Sequence, residues 1–392
     1  MSGAPEERAL RTKEPAGGAA RQERLLEEET ARIFVASQWK LMYWRFRKHK
    51  LAVVSFFVLC FLYFVAIFAE FIAPYDHNKQ NTKLLFVPPR RIRFVDEQGN
   101  FSLRPFVYGL VQQVDTATLR KTYVEDTGTK IYIHFFVHGD PYKLWGLFES
   151  DLHLFGLEGN DRTLFLLGSD RMGRDMLSRV IHGSRISLSV GFVGVIISLV
   201  LGVIIGGISG YYGGVVDIAV QRLIEFIRSI PTIPLWMALA AALPVYWPPL
   251  KVYFAILVIL SFIGWTGLAR VVRGRFLALR EEDFVMAARL AGASEWRIIV
   301  RHLVPSFLSY LIANLTLAIP GMILGETALS FLGVGLRPPA VSWGVILNEA
   351  QKLRVVAQAP WLLLPGAFIV LAVLAFNFVG DGLRDAADPY AR

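Results

Sequence analysis

The chain has 392 residues, 54% of them hydrophobic and only 19% charged, with a mean hydropathy of +0.46, which excludes an ordinary soluble globular domain. One cysteine, Cys60, excludes an internal disulfide framework. The net charge of +9 sits in short segments beside apolar runs, a placement that favours charge-directed membrane insertion over a nucleic-acid groove.

Residues 1 to about 28 are rich in Glu, Arg, Ala and Gly without an apolar period, and read as a mobile tail. From Ile33 to Phe46, Phe34, Trp39, Tyr43 and Trp44 alternate with Lys40 and Arg45, predicting an interfacial helix. Arg45, Arg47, Lys48, His49 and Lys50 close this segment, 1–50, and hold the start of the first span in the cytoplasm. Leu51 to Ala69 gives 19 residues without a charge, close to the roughly 20 that a hydrocarbon core needs. With no Ala-x-Ala cleavage pattern it stays as an anchor, a first transmembrane helix over 51–74. Residues 75–165 form a long polar extracytoplasmic insertion. It holds a Pro88-Pro89 break and a strand-like stretch from Lys130 to Val137, and is predicted to be β-rich. His134 and His138 lie four apart there without a third ligand, so no metal site is assigned.

Residues 166–392 are predicted to form a core of five further spans. Ile186 to Val216 is uncharged and holds the second; Gly202, Gly206 and Gly210 recur four apart on one helical face, suited to close helix contact. The third starts near Glu225 and runs past Pro231 and Pro234 to Leu243, the fourth covers Val252 to Ala269, the fifth His302 to Gly325, and the sixth Val355 to Gly380. Between the fourth and fifth, Arg270 to Arg301 carries seven arginines against four acids, the strongest cytoplasmic marker in the chain. Six crossings put it on the side of the basic segment before Leu51 and leave both termini in the cytoplasm.

No phosphate-cradling Gly-x-x-x-x-Gly-Lys-Ser/Thr loop, nucleophile elbow or His-Glu-x-x-His pair occurs, so the chain is expected to be non-catalytic. The loop 270–305 holds the most pointed pattern. Glu282 to Ala291 predicts a short helix bearing Ala287 and Ala288, Gly292 permits a bend, and a second helical stretch runs from Ser294 towards Val304. Small alanines admit a close partner surface, and the arginines can pair with acidic groups. The plainer alternative is a connector that orients spans four and five by charge.

Met286-Ala287-Ala288, Gly292 and His302-Leu-Val-Pro305 resemble the EAA loop of bacterial ABC importer permeases, with Met286 in place of the motif's glutamate, His302 of its isoleucine and Val304 of its leucine. Leu167 to Asp175, Ser178-Arg179, Gly183 to Ser187, Gly325 to Gly335 with Pro338, Trp343 and Gly344, and the tail Gly380 to Arg384 through Asp388-Pro389 are similar to the C-subunit type of dipeptide/oligopeptide permease. The resemblance covers about 35–76 and 165–389. It implies an all-α polytopic membrane protein with six transmembrane helices, of the type I importer kind, in the bacterial inner membrane. It implies a homologous second permease subunit, two ATPase subunits (or a fused or homodimeric ATPase) that use ATP and Mg, and an extracytoplasmic solute-binding protein; beside the lipid bilayer, neither a cofactor on this chain nor nucleic acid is expected. Phe284, Val285, Ala287, Ala288, Gly292, Ala293 and Pro305 would then form the ATPase-coupling loop. Glu326, with Ser330 and Phe331, is a candidate pathway or gate, the alternative being an ion pair with Arg337 or another subunit. Asp170, Arg171, Arg174 and Asp175 are expected to form an external charged cap before the second span, or a docking surface. The implied cargo is a dipeptide or oligopeptide; oligosaccharides, opines or metal chelates are alternatives, and an ion-coupled secondary transporter, an exporter or a scaffold is a different class.

Overall fold

A computed structural model describes residues 38–114, 121–157 and 163–387. The polar tail, the first five residues of the expected interfacial helix and Asp388-Pro389 lie outside the described residues. Helix α1 (Gln38–Lys48) leads into α2 (Lys50–Ile67), and the His49 side chain between them accepts the Ala52 N–H at 3.1 Å, capping α2. Leu59, Leu62 and Ala66 face inward from α2, while Phe57, Phe61 and Phe64 stand exposed on the outer side. Cys60 is exposed on the same helix. A short α3 (Ala69–Ile72) ends the span.

The insertion is a four-stranded antiparallel sheet in the order β1 (Arg93–Val95), β2 (Phe101–Val114), β3 (Lys121–Leu144) and β4 (Phe148–Leu157). The strand-like run from Lys130 to Val137 lies inside β3. Its core is small, formed by Val107, Ile133, Leu157 and Leu164. The Lys130 ammonium and the Asn100 amide bond to Asp96, at 2.7 and 3.1 Å, and hold its carboxyl below the usual carboxylate range.

Helix α4 (Met176–Tyr212) has 37 residues, about 55 Å, and starts ten residues before the uncharged run. The charges within this extra length, Arg179 and Arg185, are paired with Asp170 and Glu70. Helix α7 (Pro249–Leu279) lies along α4 in the same direction: Tyr253 donates to Ser189 near one end, and Arg280 reaches the Tyr211 carbonyl at the other. The glycine row makes this approach possible. A methyl added at Gly202 would stand 2.9 Å from Leu268 Cβ, one at Gly210 2.7 Å from the Arg273 carbonyl, and one at Gly206 would overlap the Ala269 carbonyl.

Because α4 and α7 are parallel, residues 213–248 must return across the bundle between them. They do so as α5 (Gly214–Ser229) and α6 (Thr232–Ala241), bent by 83°. This corrects the expectation of one span starting near Glu225. Pro231 drives Ile230 into extended backbone (φ −88°, ψ 130°) and interrupts the helix. Asp217 pairs with Arg273 of α7, whereas Arg222 and Glu225 pair at the surface.

Two further spans sit later than expected. Pro305 lacks an N–H, and the chain winds as α9 (Glu295–Ile298), a wide π turn (Ile299–Leu303) and a short α10 (Val304–Ser306) before α11 (Leu308–Phe331) begins. The 326–354 connection holds α12 (Trp343–Asn348) and the start of α13 (Leu353–Gln358). Pro360 then opens a 3₁₀ turn and delays α14 (Leu364–Ala387). Among the described residues five helices are thus long and apolar enough to cross a membrane, and six if the bent pair is taken as one span.

The glycine row gives a direct test. Gly206→Ala gains about 1 kcal/mol of helix propensity but meets the Ala269 carbonyl, so it should melt below wild type in detergent, by the 1–3 kcal/mol typical of overpacking. Gly274→Ala, where an added methyl meets open space, should melt at or above wild type. Equal melting of Gly206→Ala and wild type would refute the close-packing account.

Candidate functional site

At the arginine-rich end of the bundle, α8 (Asp283–Leu290) projects from the C-terminal end of α7. It closes through a paired turn: Ala293 N–H donates to the Ala288 carbonyl at 3.0 Å and Gly292 N–H to Arg289 at 2.9 Å, with Gly292 at φ +75°. This is the left-handed helix stop that glycine favours. The Ser294 side chain then accepts the Arg297 N–H and starts α9.

The two faces of α8 differ. Val285 is fully buried in a cluster with Val272, Phe276, Ile298, Leu303 and Leu311, and Ala288 and Ala293 pack against that cluster. These three of the expected coupling residues therefore hold the loop to the bundle. Phe284 and Ala287 face outward, and Pro305 is exposed. Leu290, which the motif did not single out, is 89% exposed, and Trp296 and Val300 continue the apolar surface. The signal was present in the helical period, since 284, 287 and 290 share a stripe turned away from 285. Tyr212 donates to Glu295 at 2.7 Å, and the Arg289 guanidinium lies over the Tyr211 ring, so the loop is also tied to the end of α4.

At the other end of the bundle, the expected charged cap is a buried network. Asp170 accepts from Arg174 at 2.6 Å and from Arg179; Arg174 and Arg179 also reach Glu349 at 2.6 and 3.2 Å. Asp170 further accepts the backbone N–H groups of Met172 and Arg174. Asp175 stands apart as the N-cap of α4, accepting from Ser178 N–H at 2.8 Å, and burial pushes its carboxyl up to about 6. Arg171 is exposed and outside the network. Arg179 and Glu349 are the members that the charged cap lacked; Glu349 lay beyond local sequence, 170 positions from Arg179.

Glu326 is fully buried on α11. It does not pair with Arg337, which instead donates to the Gly333 carbonyl. Its Oε1 accepts from Ser330 and Ser342 Oγ, both at 2.7 Å, while Ser330 Oγ accepts the Leu336 N–H and Ser342 Oγ caps α12. The three residues clasp the 332–342 connection onto α11, closed off from solvent in this conformation. Phe331 contributes its carbonyl, which accepts from Asn348 at 2.6 Å, and its side chain is half-buried. The four-helical-residue spacing of Glu326 and Ser330 was legible; Ser342 was not. Among the described residues no group of three or more metal-ligating side chains occurs.

The network at Asp170 predicts a large asymmetry between neighbouring arginines. Arg179→Met leaves two buried carboxylates under-compensated and should cost about 3–5 kcal/mol, whereas exposed Arg171→Ala should stay within about 0.5 kcal/mol. Thermal melting of the purified variants measures both, and a wild-type melt for Arg179→Met would contradict the network's role.

Comparison with known proteins agrees with this architecture. Residues 191–392 match the family model described as binding-protein-dependent transport system inner membrane component, and residues 37–89 match the N-terminal TM domain of oligopeptide transport permease C. The oligopeptide transport system permease protein OppC of Haemophilus influenzae is 41% identical over 246 residues, covering 62% of this chain and 76% of that protein. A putative peptide permease protein of Brucella ovis is 38% identical (64% of this chain, 82% of that protein), and the dipeptide transport system permease protein DppC of Bacillus subtilis is 39% identical (57% and 68%). A chain of the inward-facing MetNI methionine ABC transporter aligns over 54% of this chain and 97% of its own length, at 21% identity and a TM-score of 0.44, too faint a likeness to add weight. With its apolar spans and the match over its C-terminal half, the chain belongs to the family of binding-protein-dependent transport system inner membrane components, as a multi-pass membrane protein.

Proposed function

We propose that this chain is the C-type permease subunit of an ATP-driven importer of dipeptides or oligopeptides, and that α8 is where ATPase motion enters it. The observation that carries this reading is the outward apolar stripe of Phe284, Ala287 and Leu290, held on the bundle by fully buried Val285. An exposed leucine beside arginines is a surface for a partner with an apolar cleft and acidic rim. On this reading the partner is one of two ATPase subunits, separate, fused or homodimeric, which bind ATP and Mg and supply the energy; this chain binds no cofactor.

Movement of α8 reaches the bundle through packed contacts. Val285 lies in one buried cluster with Val272 and Phe276 of α7 and Leu311 of α11, so on this reading a push on α8 is carried to both helices. The glycine row ties α7 to α4, and the spans shift as bodies between inward and outward openings. A homologous second permease completes the pathway, and a solute-binding protein delivers cargo on the opposite side. On this reading the arginine-rich end is cytoplasmic and so are both termini, which is supported by Phe46 and Ala52 lying against Gly382 at one end of the bundle. Peptide cargo is taken from the names of the relatives; an oligosaccharide, an opine or a metal chelate is the alternative cargo.

Leu290→Glu tests the coupling role. Removing one leucine from an apolar contact loses about 2 kcal/mol, and the added charge loses more, so ATP-driven peptide uptake by the assembled transporter in proteoliposomes should fall at least about tenfold. The melting temperature should not change, because Leu290 touches little of the bundle. Uptake at the wild-type rate would overturn the coupling assignment.

A further inference from the structure

The β3–β4 hairpin ends in an apolar tip whose chemistry the transport reading does not use. Leu144-Trp145-Gly146-Leu147 makes a two-residue turn, Leu147 N–H donating to the Leu144 carbonyl at 3.0 Å, with φ +54° at Trp145 and +74° at Gly146. Asn or Gly suits the first of those positions; a tryptophan there is held against its backbone preference. Trp145, Leu147 and Phe148 are 48%, 76% and 60% exposed. Three such side chains at one turn form an apolar patch; the sheet exposes other large apolar side chains, Phe101 and Leu103 among them, but the tip is the part that meets the first span.

The tip is docked at a definite level on the bundle. Trp145 Nε1–H donates to the Ile67 carbonyl at 2.8 Å, and its ring lies against Phe68; further up the hairpin Phe136 meets Phe71. Arg185 of α4 reaches the same Ile67 carbonyl and pairs with Glu70, so charge begins where the tip docks. Three helices measure how deep that level is. From Lys50 to Ile67 on α2 is about 26 Å; from Arg185 to Gly206, which lies beside Ala269, is about 31 Å; from Lys251 to Arg270 on α7 is about 29 Å. A hydrocarbon core is about 30 Å thick, so Ile67 marks its outer edge. The exposed stripe of α2, Phe57, Phe61, Phe64 and Ile67, runs directly into the tip. A mostly apolar groove of about 230 Å³ adjoins it, lined by Tyr63, Ile67, Trp145 and Leu188 with Arg185 and Ser189 at its polar side.

We propose that the β3–β4 tip is a membrane anchor: Trp145, Leu147 and Phe148 enter the outer leaflet beside α2, the indole sitting at headgroup depth as interfacial tryptophans do. The occupant of the patch is lipid, because the patch is continuous with the lipid-facing side of α2. The opposite end of β3 is on the water side. Val114 pairs there with Lys121, and Tyr123 donates to the Leu85 carbonyl. Leu85 adjoins Phe86, which bonds to Asp170 beyond the start of α4.

The test uses the assembled transporter in phosphatidylethanolamine–phosphatidylglycerol vesicles. In a Cys60→Ala background, Leu147→Cys and Val114→Cys are each given a nitroxide label, and its collisions with oxygen and with a water-soluble nickel chelate are compared. The expected result is oxygen exceeding chelate at Leu147 and the reverse order at Val114. Chelate access at Leu147 equal to that at Val114 would overturn the proposal by placing the tip in water. Protection of Leu147 from both reagents would overturn it in favour of a protein partner covering the tip. Both labelled sites are exposed side chains, so neither substitution threatens folding.

Discussion

The close parallel contact of α4 with α7 is the constraint on which the rest of the bundle depends. Without a side chain at Gly202, Gly206 and Gly210, the α7 backbone comes to within van der Waals reach of α4. In lipid, where burying apolar surface gives no gain between helices, such backbone-level contact is what holds spans together. Two parallel neighbours in sequence impose a return crossing between them, and residues 213–248 supply it in broken form. That single consequence fixes the number of crossings, and with it the placement of the arginine-rich loop and the insertion at opposite ends.

Helix α4 is pinned at each end by charge and joined along its middle by small residues. At its start, Arg179 is buried between Asp170 and Glu349; at its other end, Asp217 joins Ser209 of α4 to Arg273 of α7. Buried ion pairs contribute little net stability, but losing one partner is costly. They therefore act less as glue than as register pins, fixing how α4 sits against its neighbours along its length. A contact made by glycine and backbone cannot repack by changing rotamers. The packing of α4 on α7 is therefore fixed at backbone level, and the Val285 cluster reaches this pair through Val272 and Phe276.

What was legible in the sequence follows from range. Local patterns gave the spans, the glycine face, the α8 helix with its Gly292 stop, and the strand around Lys130 to Val137, because each rests on neighbours within a turn or two. Three span boundaries failed at prolines: Pro231 split the third crossing, while Pro305 and Pro360 delayed the fifth and sixth, although Pro320 sits inside α11 without breaking it. Hydropathy averages over such breaks and cannot see them. Partners far apart in sequence failed as well. Arg337 was the nearest cation to Glu326, yet Ser342 holds it, since the α12 cap folds back over α11. The charges around Asp170 read as a surface cap because Glu349, the residue that closes them into the interior, lies across the external connection.

The insertion shows how a long loop can be added to a membrane bundle without disturbing it. Its own core is small, with Val107, Ile133, Leu157 and Leu164 in one cluster and Phe106 and Tyr108 buried on β2, and a thin sheet of this kind needs packing from outside to be stable. It therefore borrows its footing from the bundle: His153 bonds to the Ala73 carbonyl at 2.6 Å, and Tyr75 accepts the Leu164 N–H with its hydroxyl at 3.0 Å. Both contacts satisfy backbone groups at the place where α3 ends and the chain leaves the membrane. A helix end in that position has carbonyls without intrahelical partners, and the hairpin provides for them with His153 and Trp145. The sheet and the first span thus complete one another's hydrogen bonding. The insertion is in that sense an extension of the first span, and its orientation is set by the end of that helix.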